Sequence, residues 1–474
     1  MLAKTDLDGI FNPESIAIAG VSTGTEIWSI GQRYLKLLLD FGFTDRIYPV
    51  NPKGGEILGV NIYANVKDIP DTVDYVICCI PAERVSQLIM DCEGKGVKAM
   101  QFFTSGFSET GTEEGRKREE EICHLAEQMG IRLIGPNCAG IYNPSGNLTN
   151  AEGFPEESGS VALMCQSGGN SFHFVRAAAQ RGVRFSKVIS YGNACDINEC
   201  DLLEYFAADP ETKIIAVYIE GFKDGRRFNS ILREAVKTKP VVILKGGLTG
   251  AGARAAAGHT GALATSADIW EGFCQQNGVV AVNSIEEMVD AVVTFLYFRL
   301  PGGRKVASIG IGGGSTVLAT DDCVGAGLEL PRLPIEVQEN IRSHMLDDAG
   351  TILTNPLDLS VPAIHQDIYD EVFYILDNYN GIDLQIAHVP YGVMHMPSSF
   401  PEKRMLSSFV PKAIKAHNEL TKPVATVIHS QITIEDWTET YKYQEILSDA
   451  GVPFYYTVKN AALAISRFMR YHGK

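Results

Sequence analysis

The chain is 474 residues long, 45% hydrophobic and 21% charged, which excludes a disordered or fibrous protein and points to about three domains at ~150 residues each. With 41 basic and 57 acidic side chains the formal charge is −16, a field that repels phosphate backbones and anionic lipid heads, so neither a nucleic-acid nor a membrane-surface role is expected. No apolar run approaches the ~20 residues of a membrane span, and the opening MLAKTDLDGIF lacks a signal-type apolar core, so a cytoplasmic setting is expected.

Strands are predicted at 15–21 (SIAIAGV), 46–51 (RIYPVN), 74–81 (DYVICCIP), 97–103 (VKAMQFF) and 131–137 (IRLIGPN), with a helix around 29–41 after the first. Continuous β-branched runs separated by amphipathic stretches imply a parallel sheet covered on both faces. Such sheets bind ligands at the carboxyl ends of their strands. Here those ends run into VSTGTE, NPKGG, IPAE, TSGFSE and GPNCAG, five loops expected to line one rim. The polar stretch 143–160 reads as a linker, after which the pattern restarts with strand, Gly-rich turn and helix in GSVALMCQSGGNSFHFVRAAAQRG. Further strands are expected at 185–190, 214–221, 240–247 and 279–282, with a second break at 299–305. A third unit opens with KVASIGIGGGSTVLATDDCVGAG and continues through strands at 384–391, 423–430 and 452–458.

The ten cysteines form no C-x-x-C pair and read as reduced structural thiols, and no His/Cys/Asp/Glu set has metal-ligand spacing, so this chain is expected to bind no metal. No G-x-x-x-x-G-K-[ST] occurs, so any ATP chemistry calls for a nucleotide site on another polypeptide. The first loop, which carries Ser22 and Thr23, can offer backbone N–H groups to phosphate. Lys53 stands after the second strand, where a dinucleotide fold would place an acid for the ribose hydroxyl; a lysine suits an extra ribose phosphate, as in NADP or coenzyme A. Ser167, Gly168 and Gly169 lie between a buried strand and a helix, a seat for phosphate or acyl phosphate. A serine-hydrolase elbow is excluded there because Cys165 occupies the first glycine of G-x-S-x-G. In KGGLTGAGARAAAGHTGALAT (245–265), His259 is flanked by Gly258 and Gly261, leaving room for a group added to the ring. A phosphorylated imidazole also needs a carboxylate on its other nitrogen, and Glu220, at the end of an apolar strand, is the best candidate.

The order of IAIAGVS, NPKGGEILG, IPAE, SGFSETG, IGPNCAGI, QSGG, YIEG, AGHTGALA and TNPLDLS resembles the α subunit of ADP-forming acyl-CoA synthetases, relatives of succinyl-CoA synthetase. The resemblance implies an α/β architecture of an N-terminal CoA-binding Rossmann-like domain (1–148) followed by two flavodoxin-like domains (149–300 and 301–474). It also implies a phosphohistidine at His259 oriented by Glu220, a phosphate cradle at Ser167 and Gly168, and CoA-binding loops carrying Ser22, Thr23, Lys53, Pro81, Thr104 and Asn137. The nucleotide, ATP or ADP with Mg2+, would then sit on an ATP-grasp β partner in a hetero-oligomer. The sequence departs from the family pattern at Ala139, Cys165, Gly258 and GIGGG (310–314), which bears on the acyl pocket. The implied activity is reversible conversion of acyl-CoA, ADP and phosphate to carboxylic acid, CoA and ATP. Its rivals are an NADP-dependent oxidoreductase and a non-catalytic CoA-binding regulator.

Overall fold

The computed structural model describes residues 5–24, 29–44, 46–254, 266–359, 368–389, 403–429 and 434–474. These fall into two compact units, one built from residues up to 179 with 184–288, the other from 180–183 with 289–474.

In the first unit, α1 (Thr5–Phe11) leads into β1 (Ile16–Ala19), α2 (Ile30–Asp40), β2 (Ile47–Val50), β3 (Tyr75–Cys78), α3 (Val85–Met90), β4 (Ala99–Phe102), α4 (Glu113–Met129) and β5 (Arg132–Ile134). The five strands form one parallel sheet in the order β2-β1-β3-β4-β5. Nearly every residue of β1 to β4 is buried, because helices cover both faces and leave no polar face for alternation.

A second sheet in the same unit takes β6 (Gly140–Tyr142), β7 (Ser158–Cys165), β8 (Phe185–Ser190), β9 (Ile214–Ile219), β10 (Val241–Lys245) and β11 (Val280–Val282) in the order β11-β10-β9-β7-β8-β6. Only β6 runs antiparallel to its neighbour. The helices α5 (Gly168–Ala179), α6 (Glu199–Ala208) and α7 (Gly225–Ala235) follow β7, β8 and β9. One apolar cluster runs from Ile16, Ile18 and Leu35 of the first sheet and its helix to Met164, Val217 and Ile243 of the second. The two sheets therefore share a core.

The stretch 143–160 is not a loose linker. Asn143, Leu148, Thr149, Asn150, Ala151 and Phe154 are all buried. The Asn143 amide donates to Phe11 O at 2.9 Å, and residues 158–160 already belong to β7. Polar composition misled because these Asn and Thr side chains satisfy backbone groups inside the fold. The chain also enters the second sheet early, at β6.

In the second unit, β12 (Val306–Gly310), β13 (Leu357–Asp358), β14 (Leu384–Val389), β15 (Val424–Ile428) and β16 (Phe454–Tyr455) form a parallel sheet in the order β13-β12-β14-β15-β16. These three sheets thus repeat one order, in which the first parallel strand lies between the second and the third. Each has a topological switch point beside its first strand, where diverging loops open a crevice at the carboxyl edge. Among the described residues no helix is long and apolar enough to cross a membrane.

Candidate functional site

At the rim of the first sheet, the loop after β1 is tied to the start of α2. Ser29 caps that helix in a capping box with Gln32. Gln32, itself buried, accepts from the Ser22 hydroxyl at 3.0 Å and donates to Gly24 O at 2.8 Å. Gly31 packs against this loop so closely that a Cβ there would stand 2.6 Å from Gly20 O. The N-terminal turn of α2 is thereby pressed onto the rim, with its free N–H groups beside Ser22 and exposed Thr23. Lys53 is exposed and follows an Asx turn in which its N–H donates to Asn51 Oδ1 at 3.0 Å. Pro81 is exposed after β3. Thr104 is buried, and its hydroxyl donates to Ile80 O at 2.7 Å, so it braces the neighbouring loop instead of facing outward. Asn137, half-buried with φ of 58°, donates its N–H to Thr104 O at 3.0 Å. Five loops do converge on one rim, with Thr104 joining three of them.

The second sheet places the other predicted residues at its switch point. Strands β7 and β9 are neighbours; the first ends into Gln166-Ser167-Gly168-Gly169 and the second into Glu220. Ser167 Oγ accepts from Asn170 N at 3.3 Å and so caps α5. A Cβ on Gly168 would stand 3.3 Å from Ala139 Cβ, tighter than an ordinary contact, while Gly169 faces open space. The first turn of a twelve-residue helix thus opens outward at exposed Gly169, with the Asn170 N–H already taken by the Ser167 hydroxyl. Cys165 is buried below it, its thiol donating to Ser167 O at 3.0 Å and pushed well up in pKa by burial. It is a packing residue with no nucleophilic character.

Glu220 is 7% exposed. Its carboxylate accepts from Tyr218 OH at 3.1 Å, and the Tyr218 phenol is pushed up in pKa by burial and then by that carboxylate. The backbone N–H of Glu220 and that of Gly221, the latter at 3.1 Å, both donate to Gln166 Oε1. On the opposite side, buried Lys245 Nζ donates to Glu220 O at 2.7 Å and to Gly246 O at 2.5 Å. Burial pulls the Lys245 pKa down and the charge of Glu220 pushes it back up. Further out, buried Glu199 accepts from Lys223 N at 2.5 Å and Asp224 N at 3.3 Å, closing the turn that follows Glu220. His259 lies outside the described residues, so its distance to Glu220 is not part of this geometry. Gln166, Tyr218, Lys245 and Glu199 were not singled out from the sequence. The readable signal was a polar residue ending an apolar strand run, as Lys245 does after PVVIL.

Two folded modules, a rim of five loops and an adjoining helix N-terminus facing a carboxylate, can hold a phosphorylated ligand and an anion side by side. Residues 14–144 match the family model of a CoA binding domain, and residues 158–295 match that of a succinyl-CoA ligase like flavodoxin domain. The α subunit of acetate–CoA ligase [ADP-forming] II from Pyrococcus furiosus is 37% identical over 459 residues, covering 97% of this chain and 96% of the relative. The chain belongs to the α-subunit family of the ADP-forming acyl-CoA ligases. The α subunit of the isoenzyme I from the same organism is 34% identical, covering 98% of this α chain and 97% of that one. Among solved structures, dinucleotide forming acetyl-coenzyme A synthetase 1 of Ca. Korarchaeum cryptofilum, in complex with phosphate and ADP, aligns with a TM-score of 0.81 at 29% identity, covering 98% of this chain and 97% of that one. This α chain is accordingly a ligase component that uses coenzyme A, which removes the nicotinamide reading left open at Lys53 and, separately, the non-catalytic rival. Membership as an α subunit also implies a partner subunit. Among the described residues no group of three or more His, Cys, Asp and Glu could hold a metal ion.

Proposed function

We propose that this chain carries the acyl-transfer half of an NDP-forming acyl-CoA ligase, and that His259 passes the phosphoryl group to a nucleotide on an ATP-grasp β partner. One observation carries the reading: an outward-facing helix N-terminus, Ser167–Gly169, and a buried carboxylate, Glu220, meet at one switch point through Gln166. Inorganic phosphate held by the α5 N–H groups attacks the thioester carbonyl carbon; the C–S bond breaks and CoA leaves as thiolate, giving an acyl phosphate. An imidazole nitrogen of His259 then attacks phosphorus, and the P–O bond to the acyl group breaks to release the carboxylate. Glu220 accepts a hydrogen bond from the other ring nitrogen and so fixes the tautomer and offsets the imidazolium charge. The α5 N–H groups meet the negative charge of the phosphoryl oxygens without needing to reorient. Transfer from phosphohistidine to ADP completes ATP formation, with Mg2+ belonging to the nucleotide on the partner. The rim carrying Ser22, Thr23, Lys53, Pro81 and Asn137 holds CoA, with Lys53 suited to its ribose phosphate. Ten free cysteines fit a reducing, cytosolic setting.

Acetate, the acid named for the two relatives, is the first to assay. The complex co-purified with its partner is expected to form ATP from ADP, phosphate and an acyl-CoA. It is also expected to take an acid-labile, base-stable 32P label from ATP that His259→Ala abolishes. Label persisting in that variant overturns the phosphohistidine assignment.

A further inference from the structure

Glu220 is the first residue beyond β9, so its peptide groups have left the strand ladder, yet both are paired by side chains. The two side chains come from the strands flanking β9: Gln166 just past β7 on one side, Lys245 at the end of β10 on the other. We propose that Gln166 and Lys245 are positioning residues that clamp the Glu220 backbone from both sides and thereby set where its carboxylate stands over the first turn of α5. The inference rests on the reading of Glu220 as the group that orients His259, and deepens it.

Three features distinguish the clamp from ordinary end-capping of strands. Gln166 and Lys245 are each 5% exposed, and burying an ammonium is costly where an apolar side chain would fill the space at no such cost. Gln166 immediately precedes Ser167, so the bond from its amide oxygen ties the phosphate turn itself to the carboxylate strand. Lys245 also grips Gly246 O, where the chain departs toward residue 259, so the base of that segment and the Glu220 peptide share one anchor. The carboxylate is also held by Tyr218 OH, a phenol that pairs with the Asn170 side chain of α5 as well, so the side chain is tied to the helix while the clamp fixes the peptide from which it projects.

A misplacement of about 1 Å in an orienting group costs on the order of 100-fold in rate. In the complex co-purified with its partner, Gln166→Met and Lys245→Met are each expected to slow single-turnover phosphoenzyme formation from 32P-labelled ATP by about 10- to 100-fold. CoA affinity, which depends on the other rim, is expected to stay within about two-fold. The deciding readout is a double-mutant cycle: in a Glu220→Ala background either substitution should cost less than about two-fold more, since no acceptor remains to be positioned. A purely structural defect would multiply instead. Lys245→Arg, which retains donors for both carbonyls, should recover most of the rate and keeps the test readable if Gln166→Met fails to fold. A slow Glu220→Ala beside wild-type rates for Gln166→Met and Lys245→Met overturns the clamp alone, as does full additivity in the cycle. Wild-type rate in Glu220→Ala overturns the role of Glu220 and the clamp with it.

Discussion

Replacing Gly31 by Ala tests whether the α2 N-terminus and the loop after β1 form the CoA site. The added Cβ would stand 2.6 Å from Gly20 O, 2.7 Å from Gly20 C and 2.9 Å from Val21 N. Carbon–oxygen contacts settle at about 3.3 Å or more, so the approach is short by about 0.7 Å and involves backbone that cannot swing aside. Gly20 cannot retreat either: its N–H is bonded to Val50 O at 3.0 Å, and its own Cβ position lies 2.6 Å from Cys79 O. The first turn of α2 must therefore lift away, taking Gln32 with it. Its bonds to Ser22 at 3.0 Å and to Gly24 at 2.8 Å would then stretch past useful length. Two such bonds are worth about 2 kcal/mol together, which corresponds to about 30-fold in the Kd for CoA if loop order sets affinity. Isothermal titration of the variant with CoA, with circular dichroism as the folding control, measures this directly. A Kd within about two-fold of wild type in a folded variant refutes the assignment of that loop.

The same logic applied to the phosphate seat predicts that Gly168→Val fills the space beside Ala139 and crowds the α5 turn, weakening phosphate-dependent activity at least about ten-fold while sparing CoA titration. Buried His388 in β14 has its pKa pulled down to about 3 by burial and then by His429, whose Nε2 lies 3.4 Å from its Nδ1. The unfolded chain takes up this proton near 6.5 and the fold only near 3, so stability is lost as pH falls through that window. Denaturant titrations should show His388→Leu closing on wild type by roughly 2–3 kcal/mol between pH 7 and pH 4.5, and a pH-independent difference sinks the argument. Glu199 is raised in pKa by burial, so its contribution is present below the ordinary carboxylate range and lost as pH rises through the folded value. Glu199→Gln keeps an acceptor for Lys223 and Asp224, and its melting temperature relative to wild type should climb with pH; a flat difference counts against it.

The strands were legible because buried parallel strands write themselves as unbroken β-branched runs: 185–190 coincides with β8, and 214–221 overshoots β9 by two residues. The loops at strand ends, and the acid standing after IIAVYI, were readable for the same reason, since polar residues there interrupt an otherwise apolar pattern. The segment 143–160 was misread because composition cannot tell a solvated Asn from one that pairs a buried backbone group, as Asn143 does with Phe11 O from 132 positions away.

Residue order alone thus determined the α/β alternation, the glycine turns, the candidate groups Ser167, Glu220 and His259, and the absence of a nucleotide-binding P-loop motif, since each depends on neighbours in the chain. Tertiary structure decided which loops share a crevice, because the strand order puts β7 beside β9 although some fifty residues separate them. It also decided that Thr104 turns inward and that Gln166 and Lys245 grip one peptide. Those facts rest on hydrogen bonds between residues distant in sequence, and such pairing energy exists only once the sheet has closed the distance.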